Sequence, residues 1–149
     1  MLRNVSRNLC GSGWVQSILI DTGPLVALFS RRDKHHARMV KFLADFEGVL
    51  LTTWPVVTEV CHLISRENRN RFMRWAAGGG IVVRDLGENA AIQALALMEK
   101  YGDLPMDVAD ASLLILSEQA GLTDIATLDI ADFSVYRLSG GRSFNLLPA

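Results

Sequence analysis

Asp107 and Asp110 stand three residues apart in "LPMDVADASLLILSEQAG", residues 104–121, where a proline-led start gives way to an apolar run. At that spacing two carboxylates share one face of a helix's first turn. One account of the pair is electrostatic, since negative side chains favour the partly positive N-terminus of a helix. The other is chemical: the two carboxylates meet acids from elsewhere in the chain and share a cation with them. Asp21 closes the apolar run "SILID" and Asp129 closes "DIATLD". Glu59 lies about a turn and a half into "WPVVTEVCHLIS". Five acids therefore come from four separate segments, each near the end of a strand or the start of a helix.

Such a gathering needs a counter-charge. Two like charges 4 Å apart repel by about 1 kcal/mol in water and by about 4 kcal/mol near a protein surface. Carboxylates with no His or Cys among them are hard oxygen donors, which suit Mg²⁺ or Mn²⁺. One or two such ions can bridge a phosphodiester oxygen, lower the pKa of a water and steady the leaving oxygen. That chemistry is phosphodiester hydrolysis. Each acid also has a plain alternative. Asp107 can serve the helix dipole alone, Asp129 with Asp132 can form a turn, and Glu59 can be a solvated helix residue. Only Asp21, an acid directly ending an apolar strand, resists a bland reading. The set, rather than any one member, points to chemistry.

The elements that must position these acids alternate along the chain. Short apolar strands are predicted at 17–21, 48–53, 81–85 and 124–129, with a fifth at 143–147. Between them "TGPLVALFS", "DKHHARMVKFLADF", the segment led by Pro55, "NRNRFMRWAAGGG" and "GENAAIQALALMEKYG" carry helical spacing, proline starts and glycine stops. Strands alternating with helices predict one α/β domain with a largely parallel sheet covered on both faces. Ligands of such sheets gather beyond the carboxyl ends of the strands. Asp21 and Asp129 close strands, and Asp107, Asp110 and Glu59 sit early in helices, so all five belong at that edge.

The chain has 149 residues, 50% hydrophobic and 21% charged, which suits one domain with a real core. Residues 1–16 read as a loosely ordered extension and 17–149 as the domain. Cys10 and Cys61 make no disulfide framework and lack metal-ligand spacing, which fits a reducing cytosol. No apolar segment is long enough to cross a bilayer, so a cytoplasmic protein is expected. The "GSG" at 11–13 is not a phosphate loop, because no Gly-Lys-Ser/Thr follows. Glu59 and His62 have the Glu-x-x-His spacing of di-iron bundles, but no second copy exists. The formal net charge is −1. Without Asp21, Glu59, Asp107, Asp110 and Asp129 it becomes −1 + 5 = +4, a mildly basic surface once cations cancel the acids. Arg66, Arg69, Arg71 and Arg74 form the densest basic stretch, able to meet RNA or an acidic protein segment, with a solvated helix face as the plain alternative.

The stretches "ILIDTGPLVALF", "TTWPVVTEVCHLI", "MDVADASLLILSEQAG" and "IATLDIADF", in this order, resemble the successive motifs of PIN-domain proteins, particularly VapC-type toxins of bacterial toxin–antitoxin pairs. The resemblance implies a three-layer α/β/α fold with a mainly parallel sheet of four to five strands, and a metal-dependent ribonuclease. It makes Asp21, Asp110 and Asp129 direct ligands of Mg²⁺ or Mn²⁺. Glu59 then holds the ion through water or orients the attacking water. Asp107 and Asp132 become auxiliary acids, and Thr22 and Thr127 hydrogen-bond donors to carboxylates or phosphate. It further implies an RNA substrate, a cognate antitoxin and a homodimer. The extension at 1–16 departs from the family, whose toxins begin close to the first strand. A PIN scaffold that binds RNA or protein without cutting is the main alternative. A haloacid-dehalogenase-type phosphatase wants an acid two residues after the first, where Gly23 stands. A response-regulator receiver is also poorly matched.

Overall fold

A computed structural model describes residues 5–6 and 15–148. Of the segment read as an extension, residues 1–4 and 7–14 lie outside the described residues. Val5–Ser6 (β1) pairs antiparallel with the start of Val15–Ile20 (β2). The remaining strands are Gly48–Thr53 (β3), Val82–Arg84 (β4), Asp124–Ala126 (β5) and Asn145–Leu147 (β6). They run in the order β4-β3-β2-β5-β6, and every neighbouring pair on that path is parallel. The helices are Thr22–Phe29 (α1), His36–Asp45 (α2), Trp54–Leu63 (α3), Arg66–Ala77 (α4), Ala90–Lys100 (α5), Val108–Ala120 (α6) and Ile130–Val135 (α7).

β2 is the centre of the sheet because its sequence suits burial from both sides. Ser17 to Ile20 are all buried, Ser17 included, so neither face of the strand meets water. Helices must therefore cover both faces, which gives the three-layer α/β/α arrangement. α6 is the most deeply packed of them, with eight buried residues between Ala109 and Ser117. It ends at Gly121, whose φ of 66° is the left-handed value that suits glycine at a helix stop.

Two differences from the sequence-based expectation concern the site. β5 stops at Ala126, so Asp129 stands beyond the strand on a connecting turn. That turn feeds α7, a six-residue helix too short to show a period in sequence.

Leu19 is fully buried in β2. Leu19→Ala is expected to lower unfolding free energy by about 3 kcal/mol, the lost transfer energy plus a cavity. Urea unfolding followed by circular dichroism measures it.

Candidate active site

Four connections bring the acids to the carboxyl edge of the sheet, and each has a local cause. Asp21 leaves β2 and caps α1: its Oδ1 accepts the Thr22 N–H at 2.7 Å. Its own N–H donates to the Ala126 carbonyl at 2.9 Å, which extends the β2–β5 pairing by one residue. The Thr127 hydroxyl donates to Asp21 Oδ2 at 2.9 Å and accepts the Asp129 N–H at 3.0 Å. One buried threonine thus ties the first acid to the backbone of the last. Gly23 allows the same approach, since a Cβ there would stand 3.3 Å from Leu128 Cβ.

The helix-borne acids arrive by capping and by hydroxyl bonds. Asp107 is the N-cap of α6 and accepts the Asp110 N–H at 2.8 Å. Asp129 is the N-cap of α7 and accepts the Asp132 N–H at 3.2 Å. Glu59, on α3, accepts the Thr22 hydroxyl at 2.5 Å. Asp110 accepts the Tyr136 hydroxyl at 3.0 Å.

Asp21, Thr22, Glu59, Asp107, Asp110, Asp129 and Asp132 all line one recess of about 500 Å³, with Gly23, Leu63, Pro105 and Leu128 as its apolar walls. Thr127 is buried and reaches the recess through Asp21. A broader groove of about 900 Å³, lined by Trp54, Pro55 and Val108 among others, shares Glu59 and Asp107 with it. The four α4 arginines are dispersed. Arg69 donates to the Cys61 carbonyl at 2.7 Å on the broad groove, Arg71 faces a separate polar recess, and Arg66 and Arg74 are exposed.

Sequence reasoning missed Tyr136. Its ring is fully buried against Tyr101 and Phe133, at centroid distances of 5.1 and 5.2 Å, and only its hydroxyl reaches Asp110. The spacing of Phe133 and Tyr136 marks a packed face of α7; nothing in it reveals the carboxylate 26 residues away.

Burial pushes the Asp21 carboxyl up to about 6, against the lowering effect of the Thr22 and Thr127 bonds, and the charges of Glu59 and Asp129 add to the rise. Burial likewise raises Asp110 to about 7, helped by Asp107 and Asp21 and opposed by the Tyr136 bond. Desolvation and then Asp129 raise Asp132. Burial and Asp110 hold the Tyr136 phenol protonated far above its usual range. The ion pairs among the described residues are Lys41–Asp45 and Arg142–Glu118, neither in the recess.

A divalent cation fits the chemistry of this donor set: carboxylate oxygens only, mutually repelling, with no Lys or Arg to balance them. Among the described residues no three His, Cys, Asp or Glu side chains are already arranged to hold an ion. Asp21, Glu59 and Asp110 each give an oxygen to a hydroxyl instead.

Comparison with known proteins places the chain in a family. The PIN domain model matches residues 18–137, and the chain belongs to the PIN-domain family. The chain is 28% identical over 135 residues to Ribonuclease VapC26 of Mycobacterium tuberculosis, covering 88% of this chain and 100% of the relative. Among solved structures, Mycobacterium tuberculosis VapC20, described as a Sarcin-Ricin loop cleaving toxin, superposes with a TM-score of 0.67 at 18% identity, over 72% of this chain and 86% of that one. A toxin–antitoxin complex from Klebsiella pneumoniae gives 0.61 at 20% identity, over 79% and 91%. These two structures share the fold.

The raised carboxyls set the pH dependence of the metal-free protein. Asp21 and Asp110 bind protons more tightly folded than unfolded, so their contribution to stability is complete below about pH 4 and is lost as pH rises through about 6 to 7. With chelator at pH 8, Asp110→Asn is expected to melt higher than wild type, and the difference to vanish near pH 4. The gain is on the order of 1 kcal/mol, below the full shift because water screens the part-exposed Asp110. Thermal melts across pH measure it.

Proposed function

We propose that this chain is a divalent-metal-dependent endoribonuclease and the toxin of a toxin–antitoxin pair. The observation that carries the reading is the recess itself: acids from four separate segments meet there with no basic side chain. Kinship with Ribonuclease VapC26 supports RNA as the substrate. The Klebsiella pneumoniae relative in fold is a toxin–antitoxin complex, and the same kind of partner is proposed here. The exposed Ile92 and Leu95 on α5, 71% and 58% exposed, suit packing against a second copy. Among the described residues no helix is long and apolar enough to cross a membrane.

Asp21, Asp110 and Asp129 would hold Mg²⁺ or Mn²⁺. When bound, the ion supplies charge neutralisation at the scissile phosphate and a more acidic water. Glu59, fixed by Thr22, orients the attacking water and receives its proton. Thr127 positions Asp21, and Tyr136 positions Asp110. Leu63, Leu128 and Pro105 narrow the recess and limit loose water around the phosphate.

The deciding experiment is RNA cleavage followed on denaturing gels. Wild type is expected to cut with Mg²⁺ or Mn²⁺ and to stop with chelator. Asp21→Asn and Asp110→Asn are expected to lose on the order of 100-fold or more, and Thr127→Ala about 10-fold. RNA bound but left intact by wild type in both metals would instead mark a non-cleaving scaffold. The dimer is read separately by light scattering: twice the monomer mass for wild type, and the monomer mass for Ile92→Lys/Leu95→Lys.

A further inference from the structure

Leu63, at the end of α3 and 59% exposed, is a wall shared by two recesses of opposite character. One is the acid recess. The other, about 520 Å³, is polar and lined by Arg31, Arg32 and Arg71, with Ser65, Asn68 and Glu67 beside them. Its charge is three arginines against one glutamate, +3 − 1 = +2. Arg31 and Arg32 are exposed, and none of the three arginines joins an ion pair among the described residues. Arg71 makes one long bond, 3.3 Å, to Asn68 Oδ1.

The two recesses lie at the two ends of one helix. Asp21 caps the start of α1, and Arg31 and Arg32 follow its last residue by two and three positions. Eight helical residues span about 12 Å, a distance that a single RNA strand crosses within a few nucleotides. Guanidinium forks match phosphate oxygens in geometry and charge. Without the five site acids the chain carries −1 + 5 = +4, and this recess, at +2, holds half of that excess beside the mouth of the acids.

Resting on the nuclease reading, we propose that the recess of Arg31, Arg32 and Arg71 is an RNA-backbone subsite, seating a phosphodiester a few nucleotides from the one presented to the acids. The test uses the full chain carrying Asp110→Asn to prevent cutting, with fluorescein-labelled single-stranded RNA titrated by anisotropy across a KCl series. Arg31→Gln/Arg32→Gln/Arg71→Gln is expected to weaken binding at least tenfold at low salt. The slope of log affinity against log salt should fall by about 2, three contacts at roughly 0.7 each. The corresponding triple lysine variant is expected to keep that slope and, being fully charged, shows that any loss is not misfolding. Lys41→Gln/Lys100→Gln/Arg142→Gln removes the same charge elsewhere and is expected to stay within twofold of wild type. Equal losses from both glutamine triples, or a loss from neither, overturn the subsite. So does a site triple that binds RNA normally and loses only poly-glutamate. RNA cleavage by wild type with Mg²⁺ or Mn²⁺ reads the acid recess, so failure there removes the nuclease reading while the titration of the Asp110→Asn chain still decides the subsite.

Discussion

Carboxylates crowded at the mouth of a parallel sheet repel one another, and the polypeptide has to hold them together before any ion arrives. It does so with neutral donors. Thr22, Thr127 and Tyr136 each give a hydroxyl hydrogen to an acid of the recess, and backbone N–H groups cap Asp21, Asp107 and Asp129. A lysine or arginine would hold these carboxylates more strongly, but it would also cancel the negative potential that draws a divalent cation. Neutral bonds keep the acids in place and leave their charge available. Burial first, and neighbouring acids after it, raise the Asp21 and Asp110 carboxyls in spite of these bonds.

Holding acids with weak bonds requires a stiff frame. Asp21 is continuous with β2, the strand flanked on both sides by parallel neighbours, and its N–H is already paired to β5. The Thr52 hydroxyl donates to the Ile20 carbonyl at 2.9 Å and so locks β3 to the residue just before Asp21. Thr53 and Ser112 share a buried bond of 2.6 Å, and Ser112 donates to the Ala109 carbonyl. That link pins the start of α6, and with it Asp110, to the end of β3. Polar side chains buried this deeply are tolerated because every one of them finds a partner. The residues that look out of place in the core are the ones that fix the recess.

The parallel sheet and its helices could be read from apolar runs, proline starts and glycine stops, because both faces of β2 and most of α6 are simply buried. The acids could be read as a set because each lies near the end of a strand or the start of a helix, and a parallel sheet sends such positions to one edge. Other features left no mark in the sequence. α7 is too short for a period, so apolar patterning extends the strand to Asp129, three residues past its end at Ala126. Tyr136 looks like core in sequence, and it is core except for one hydroxyl. Arginines are densest on α4, but the helix points them in several directions. Arg71 instead joins Arg31 and Arg32, two residues from a turn that carries no helical pattern. Side-chain direction, unlike element order, depends on tertiary packing.

Negative and positive charge are therefore sorted across Leu63 rather than mixed, and this sorting separates two tasks. Under the proposed nuclease reading, the acids would handle charge that develops during bond cleavage, with an ion as their partner. The arginines would handle charge already present on the substrate backbone, through counterion release. Monovalent salt screens the exposed arginines strongly and the buried Asp21 weakly. A chelator removes the acids' partner and leaves the arginines untouched. Were the same arginines inside the recess, they would bind RNA and expel the cation together, and capture would oppose cleavage. Keeping them one side chain away lets a single strand lie across both charges in turn.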